Sequence, residues 1–311
     1  NTTAQYAKTT VQIGLRVENT ISTGKSLSLN QIEKKNYLNL FPSVFVQQTL
    51  EPKQTIGFRY SYRIGRPNYH DLNPFIWIND PYTYNLGNPM LNPQFTHTLS
   101  VNHNYKSKLM TSVGYNYTRD LLTEVIYNND STKAIYQTRE NLGSSVDFNI
   151  SETVQFQPAT WWRISGTLTG MYKEVNSKHE TGDHYSQWSC IGNVSNNFTL
   201  PYKISMELSA NYMSKQLIGN FILKSRQTID LGLKRNVLHD KGSLRISFSD
   251  IFNTGSTGAT IKTKNVYVDV DNQFETQRLN ISFTYRFGKS EFKTRSNRST
   301  ASSEEEGRSA K

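Results

Sequence analysis

Arg66, His70 and Asp71 lie close together in this 311-residue sequence. A guanidinium, an imidazole and a carboxylate at that spacing have the parts for acid–base chemistry, given a fixed geometry. The stretch around them favours another use. It runs Gly65-Arg66-Pro67-Asn68-Tyr69-His70-Asp71-Leu72-Asn73-Pro74-Phe75, passes through Trp77 and Asp80-Pro81-Tyr82-Thr83-Tyr84, and ends at Gly87-Asn88-Pro89-Met90-Leu91-Asn92-Pro93. Five of the nine prolines fall in it. Proline lacks a ladder N–H and fixes its own φ, so neither a central strand nor a helix fits. Each Asx-Pro step reads as a turn. A long loop this rich in aromatics is packed against something or built to bind something. Arg66, Asn68, Tyr69, His70, Asp71, Trp77, Asp80, Tyr82 and Tyr84 are therefore predicted to hydrogen-bond the loop's own backbone or to line a ligand surface.

Other reactive side chains carry less. His97 and His103 share one segment, and His179 and His184 share another. Neither pair has a third ligand nearby in sequence, so they read as exposed polar groups rather than a zinc site. Asp269 and Asp271 flank Val270 without the glycine and terminal glutamate of a calcium loop. Hydrolase, P-loop and paired-carboxylate spacings do not occur. The lone Cys190 can form neither an internal disulfide nor a multi-cysteine metal site. We expect no enzyme activity and no cofactor.

The elements flanking the loop show period-2 alternation bounded by turns. Strands are predicted at 9–21, 38–50, 55–64, 95–105 and 109–127, then through 146, 148 and 150 to a turn at 157–159, and at 161–172, 187–199, 204–212, 226–236, from 244, and 278–287. Pro42 is expected at a bulge or membrane rim, and a bulge is expected near 119–122. In 278–287, Leu279, Ile281, Phe283, Tyr285 and Phe287 face away from Asn280, Ser282, Thr284 and Arg286. Short connections alternate with longer ones along most of the chain. A membrane barrel has that asymmetry, with short periplasmic turns and long extracellular loops. The apolar runs also match the 9–11 residues of a tilted strand crossing the hydrocarbon layer.

Composition agrees. Hydrophobic residues make up only 35% of the chain, yet Tyr and Phe number 18 and 15. Alternate strand residues facing lipid, with aromatics at the interfaces, require no more. The net charge of +10 is spread along the sequence rather than gathered on one tail, so no nucleic-acid partner is expected. The sequence opens on strand-like residues without initiator Met or signal peptide, as in a mature protein or C-terminal fragment. We read 1–288 as an antiparallel transmembrane β-barrel portion of about twelve strands and 289–311 as a disordered periplasmic tail, with Glu304-Glu305-Glu306 solvated. Inward positions include Arg16, Arg59, Arg63, Arg163, Arg226, Lys234, Arg278 and Arg286, against Glu18, Asp147, Glu207 and Asp230. The inner wall is predicted to be basic. Its arginines attract an anionic ligand, or pair with acidic groups held inside or with one another.

Gly87-Asn88-Pro89-Met90-Leu91-Asn92-Pro93 resembles the Gly-Asn-Pro-x-Leu-x-Pro motif of TonB-dependent outer-membrane receptors. Arg66–Phe75 as quoted, Asn39-Leu40-Phe41-Pro42-Ser43, Asp250-Ile251-Phe252-Asn253-Thr254, Tyr285-Arg286-Phe287-Gly288 and the glutamate triplet are similar to the Bacteroidota-type branch. The resemblance implies a 22-stranded barrel, of which this chain is the C-terminal part, and a plug domain and TonB-contacting segment upstream. It implies uptake of a scarce nutrient such as an iron chelate, cobalamin or a glycan, with outer-membrane lipid and the barrel assembly machinery as partners. It also associates the aromatic finish of the closing strand, Tyr285 and Phe287, with insertion. The alternative is a passive or structural outer-membrane barrel.

Overall fold

The fold is described from a computed structural model, which places residues 1–26, 31–129, 131–132, 134–178, 184–239, 241–262 and 267–287. Gly288, the tail at 289–311 and His179 lie outside the described residues. The first strands are β1 (Thr2–Tyr6), β2 (Thr9–Ser26), β3 (Gln31–Glu51) and β4 (Gln54–Gly65). A helical turn, α1 (Tyr69–Leu72), precedes the short β5 (Ile76–Asp80) and β6 (Thr83–Leu86). Then come β7 (Gln94–Tyr105), β8 (Leu109–Arg119), β9 (Leu122–Asn129), β10 (Ala134–Asn141), β11 (Gly143–Ala159), β12 (Trp162–Ser177), β13 (His184–Leu200) and β14 (Ile204–Met213). The chain closes with β15 (Gln216–Ile218), β16 (Phe221–Leu223), β17 (Arg226–Val237), β18 (Gly242–Ser249), β19 (Thr257–Lys262), β20 (Tyr267–Asn272) and β21 (Arg278–Tyr285).

Thirteen of these strands form one antiparallel sheet, ordered β1-β2-β3-β4-β7-β8-β11-β12-β13-β14-β17-β18-β21. Its register makes the alternation of the sequence into two surfaces. Val11, Val46, Phe58, Val101, Val113 and Ile150 stand opposite one another strand by strand. One residue along, Thr10, Gln47, Gly57, Asn102, Ser112 and Ser151 form a polar row on the other face. The apolar face is not covered by protein: Leu15 is 62%, Leu168 59% and Ile281 63% exposed. An apolar surface this extensive on a folded sheet marks a lipid-facing wall.

All connections at one end of the sheet are short: 7–8, 52–53, 106–108, 160–161, 201–203 and 238–241. At the other end four carry their own strands: 66–93, 120–142, 214–225 and 250–277. The expected long strand at 109–127 is corrected here. Asp120 takes φ 53°, the chain leaves the wall after β8, and β9 joins a separate sheet. There is no bulge at that point but a break, and the connection beyond it is long, which completes the alternation. The count of about twelve strands also rises by one, because β1 pairs with β2.

Pairing of β3 to β4 runs from Glu51↔Gln54 only as far as Ser43↔Ser61. Pro42 follows at once on β3, and proline has no N–H for a ladder. Beyond it β3 stays with β2 and β4 stays with β7, so the wall divides. Two four-stranded sheets cap the long-loop end, β5-β6-β10-β9 and β15-β16-β19-β20. Buried Leu121, Val125, Leu142, Val175 and Leu217 form the apolar cluster beneath them.

Candidate functional site

The proline-rich loop rises from β4 on the divided part of the wall. Arg66 reaches across the division and donates to Glu18 Oε2 at 2.6 Å and to Thr20 Oγ1 at 2.9 Å. It thereby ties the β2–β3 arm to the loop. Asp71 pairs with Arg139 of β10 at 3.3 Å, and its backbone carbonyl accepts the Asn88 N–H at 2.6 Å. His70 stacks on Trp77, with centroids 4.3 Å apart. Asn68 occupies the N-cap of α1 without a side-chain capping bond. Asp80 accepts from the Tyr82 N–H at 2.8 Å and from the Thr83 hydroxyl, closing the β5–β6 turn. The Thr83 hydroxyl, then that N–H, hold its carboxyl below the usual range.

The Gly-Asn-Pro motif is a strut in this arrangement. A Cβ at Gly87 would meet the Asn73 carbonyl oxygen at 1.8 Å, so only glycine fits. The Asn88 side chain donates to the Arg139 carbonyl at 3.1 Å and accepts the Met90 N–H at 2.9 Å. Asn141 accepts the Asn92 N–H and donates to the Asn92 and Asp120 carbonyls. Leu91, 1% exposed, fills the space beneath. These bonds explain how a turn-dense loop holds a fixed shape.

Tyr84 stands opposite Tyr136, and Tyr136 opposite Tyr127, across β6, β10 and β9. Their rings lie 5.5 Å apart at each step. Ile78 continues the row onto β5 and is 75% exposed, and Tyr82 at the neighbouring turn is 65% exposed. Tyr69, Phe75 and Met90 are also exposed. The covered end of the row packs on the cluster under the cap, where burial pushes the Tyr127 phenol up and its hydroxyl donates a hydrogen bond to Glu140 at 2.9 Å. The site is thus a rigid aromatic platform, open at one end and anchored at the other.

Sequence reasoning missed the elements that anchor it. Asn220 donates to the Ile126 carbonyl at 2.9 Å and accepts the Ile126 N–H at 3.1 Å, joining the two small sheets. At Gly219, φ is +53° and a Cβ would meet the Glu124 carbonyl oxygen at 1.9 Å. The Gly219-Asn220 pair between apolar Leu217-Ile218 and Phe221-Ile222 is a hairpin signal that identifies this unit.

On the polar face, Arg16 pairs with Glu18 at 3.0 Å and lies over the Phe41 ring, and Arg59 lies over Phe45. Arg63 lines a cavity of about 430 Å³ with Gly14, Arg16, Phe41, Ser43 and Ser61. The acidic groups of this face are engaged: Glu18 by two arginines, Asp147 by Lys173, Glu207 by Ser195 and Asp230 by the Asp250 N–H. Arg163, Arg226, Lys234, Arg278 and Arg286 share the face by alternation, and among the described residues their side chains have no ion-pair partner. On the apolar face, His97 meets Tyr60, and His103 meets Gln54. His184 pairs with Glu174, and Asp269 and Asp271 both hold Lys224.

Asp250, 2% exposed, closes the loop after β18. It accepts the N–H groups of Thr254 and Gly255 at 3.0 and 2.7 Å and the hydroxyl of Thr276 at 2.5 Å. Burial alone would raise its pKa, but these bonds outweigh it and hold the carboxyl below 3.8. The stabilisation is therefore complete above 3.8 and is lost as pH falls through the lower folded value. The Gly255 amide resonance should stay constant from pH 6 down to that range and move only below it. A midpoint above 3.8 would contradict this assignment.

An antiparallel wall with one lipid face, one polar face and an elaborated cap defines a segment of an outer-membrane barrel. The chain belongs to the outer membrane protein beta-barrel family, whose model matches residues 1–285. No curated protein matches the sequence. Among solved structures, the FrpB iron transporter of Neisseria meningitidis (F5-1 variant) aligns at TM-score 0.61 and 13% identity, over 92% of this chain and 44% of FrpB. A mutant of the ferric enterobactin receptor PfeA of Pseudomonas aeruginosa aligns at TM-score 0.54 and 16% identity, over 89% and 42%. At these identities the likeness is one of fold. The chain spans less than half the length of either neighbour.

Proposed function

We propose that this chain is the C-terminal barrel portion of a TonB-dependent outer-membrane receptor for a scarce nutrient, an iron chelate, cobalamin or a glycan. The observation that carries this reading is the anchored aromatic platform standing above a basic inner wall. Tyrosine faces offer rigid contact area with a polar tip. Walls of one charge sign raise the local concentration of the opposite ion. Strand parity supports the partial barrel: in thirteen successive antiparallel strands, β1 and β21 run the same way. Antiparallel closure then needs an odd number of further strands. Those strands, a plug filling the basic lumen and a TonB-contacting segment belong to the remainder of the receptor, and the barrel assembly machinery inserts it. The short-turn end faces the periplasm, with 1–288 as the barrel portion and 289–311 as a tail beyond it.

In the intact receptor, collapse of the proton-motive force should stop uptake of bound ligand while leaving binding unchanged. Uptake that survives collapse would identify a passive barrel instead. Arg59→Gln with Arg63→Gln should weaken ligand capture most at low salt, where screening is least. Capture unaltered at every ionic strength would assign both arginines to packing against the plug.

A further inference from the structure

Arg235 of β17 stands on the apolar face of the wall, in step with Leu231 and Leu233. Ile204 of β14 lies opposite it on one side and Leu244 of β18 on the other, and Phe283 of β21 continues the row. The neighbouring row of the same face holds Trp162, Phe198, Met206 and Leu233. Trp161, Trp162 and Phe198 stack on one another there. Aromatic rings of this kind mark the level where hydrocarbon meets headgroups. Arg235 is one step nearer the short turns, two residues before β17 ends at Val237. A charge on a lipid-facing wall is stable only where its head reaches water or an anionic partner. The wall offers no such partner. Arg235 is exposed and has no ion pair among the described residues, and β14, β17, β18 and β21 carry no carboxylate on this face.

The turns beside Arg235 add to the case. Lys241 is exposed, likewise has no ion pair among the described residues, and precedes Gly242, which pairs with Val237. Its long side chain is therefore within reach of the same ligand. Tyr202 and Leu238 are both exposed and take φ of 61° and 56°. Glycine or asparagine adopts that left-handed conformation at less cost. Bulky side chains kept there, at the rim of a lipid-facing wall, suit insertion among headgroups. We propose that Arg235, with Lys241, binds the headgroup phosphate of an anionic phospholipid in the leaflet that the short turns reach. The lipid's chains then lie along Leu233, Ile246 and Ile281, which pair across the same face. A planar guanidinium takes two phosphate oxygens at once. The nearby ammonium favours a headgroup of net negative charge over a zwitterionic one, whose own cation opposes it. The site needs lipid on this face of the wall and is independent of energy coupling.

The test is native mass spectrometry of the intact receptor in a neutral detergent, titrated with phosphatidylglycerol or phosphatidylcholine. One phosphatidylglycerol should bind ahead of the rest, and Arg235→Gln should weaken that binding about fivefold. Arg235→Lys should restore most of it, because an ammonium also reaches the phosphate. Adding Lys241→Gln to Arg235→Gln should erase the preference for phosphatidylglycerol over phosphatidylcholine. Arg245→Gln should change nothing, since Arg245 adjoins Leu244 but lies on the polar face. Inorganic phosphate should not displace the lipid, whose chains supply much of the hold. Equal binding by the unaltered receptor and Arg235→Gln overturns the proposal, as does equal loss from Arg235→Gln and Arg245→Gln. Displacement by inorganic phosphate also overturns it and leaves a site for free anions. Heat-modifiable mobility identifies the folded barrels. Arg235→Leu, which suits a lipid face, provides a second folded variant that should lose the lipid as Arg235→Gln does. Because nothing is transported in this measurement, a passive barrel would give the same lipid result, and a failure here would leave the uptake assay untouched.

Discussion

Leu231→Arg should block stable assembly of the barrel, and Thr228→Arg should leave it assembled. Leu231 stands between Leu208 and Phe248 on the apolar face. Thr228 pairs with Asn211 on the polar face. An arginine on the lipid side near the midplane costs about 2–4 kcal/mol, a large share of the stability of a protein domain. On the polar side its head is solvated or joins bases already present. The readout is the heat-modifiable mobility of the folded barrel in isolated outer membranes. Equal loss from both variants would falsify the two-face assignment.

Removal of residues 280–311 should abolish insertion, whereas removal of 294–311 should leave it intact. The longer deletion takes all but the first two residues of β21, and with them the partners of Gly242–Ser247 on β18. In lipid each unpaired N–H or C=O costs several kcal/mol, so an edge left open across the hydrocarbon layer is not tolerated. The same deletion removes Ile281, Phe283 and Tyr285, the exposed apolar side of that strand. The shorter deletion leaves β21 whole. Failure of the short deletion to insert would give the tail a part in assembly.

The wall itself was legible in the sequence. Every strand with five or so alternating apolar residues falls in the large sheet, because lipid on one side and polar contents on the other demand period 2. β1 escaped because its residues on the apolar face are Thr2, Ala4 and Tyr6, too weak a pattern to read. The break at Asp120 escaped because Val125 and Tyr127 continue an apolar rhythm on the far side of it. Alternation shows that a segment is a strand and not which sheet it joins. The left-handed turn at Asp120 is a local choice that the following sequence does not announce.

The sequence by itself determined the all-β class, the lipid and polar faces, the short-turn and long-loop ends and the fixed character of the loop between Gly65 and Phe95. Tertiary structure alone decided what that loop's polar residues do. Arg66 meets Glu18, Asp71 meets Arg139 and Asn220 meets Ile126, each across a long stretch of chain. The parallel pairing of β6 with β10, which builds the tyrosine row, skips over two wall strands. The physical reason is that period-2 patterning reports one residue's exposure relative to the next, whereas these contacts depend on where separate loops converge once the wall has set their spacing.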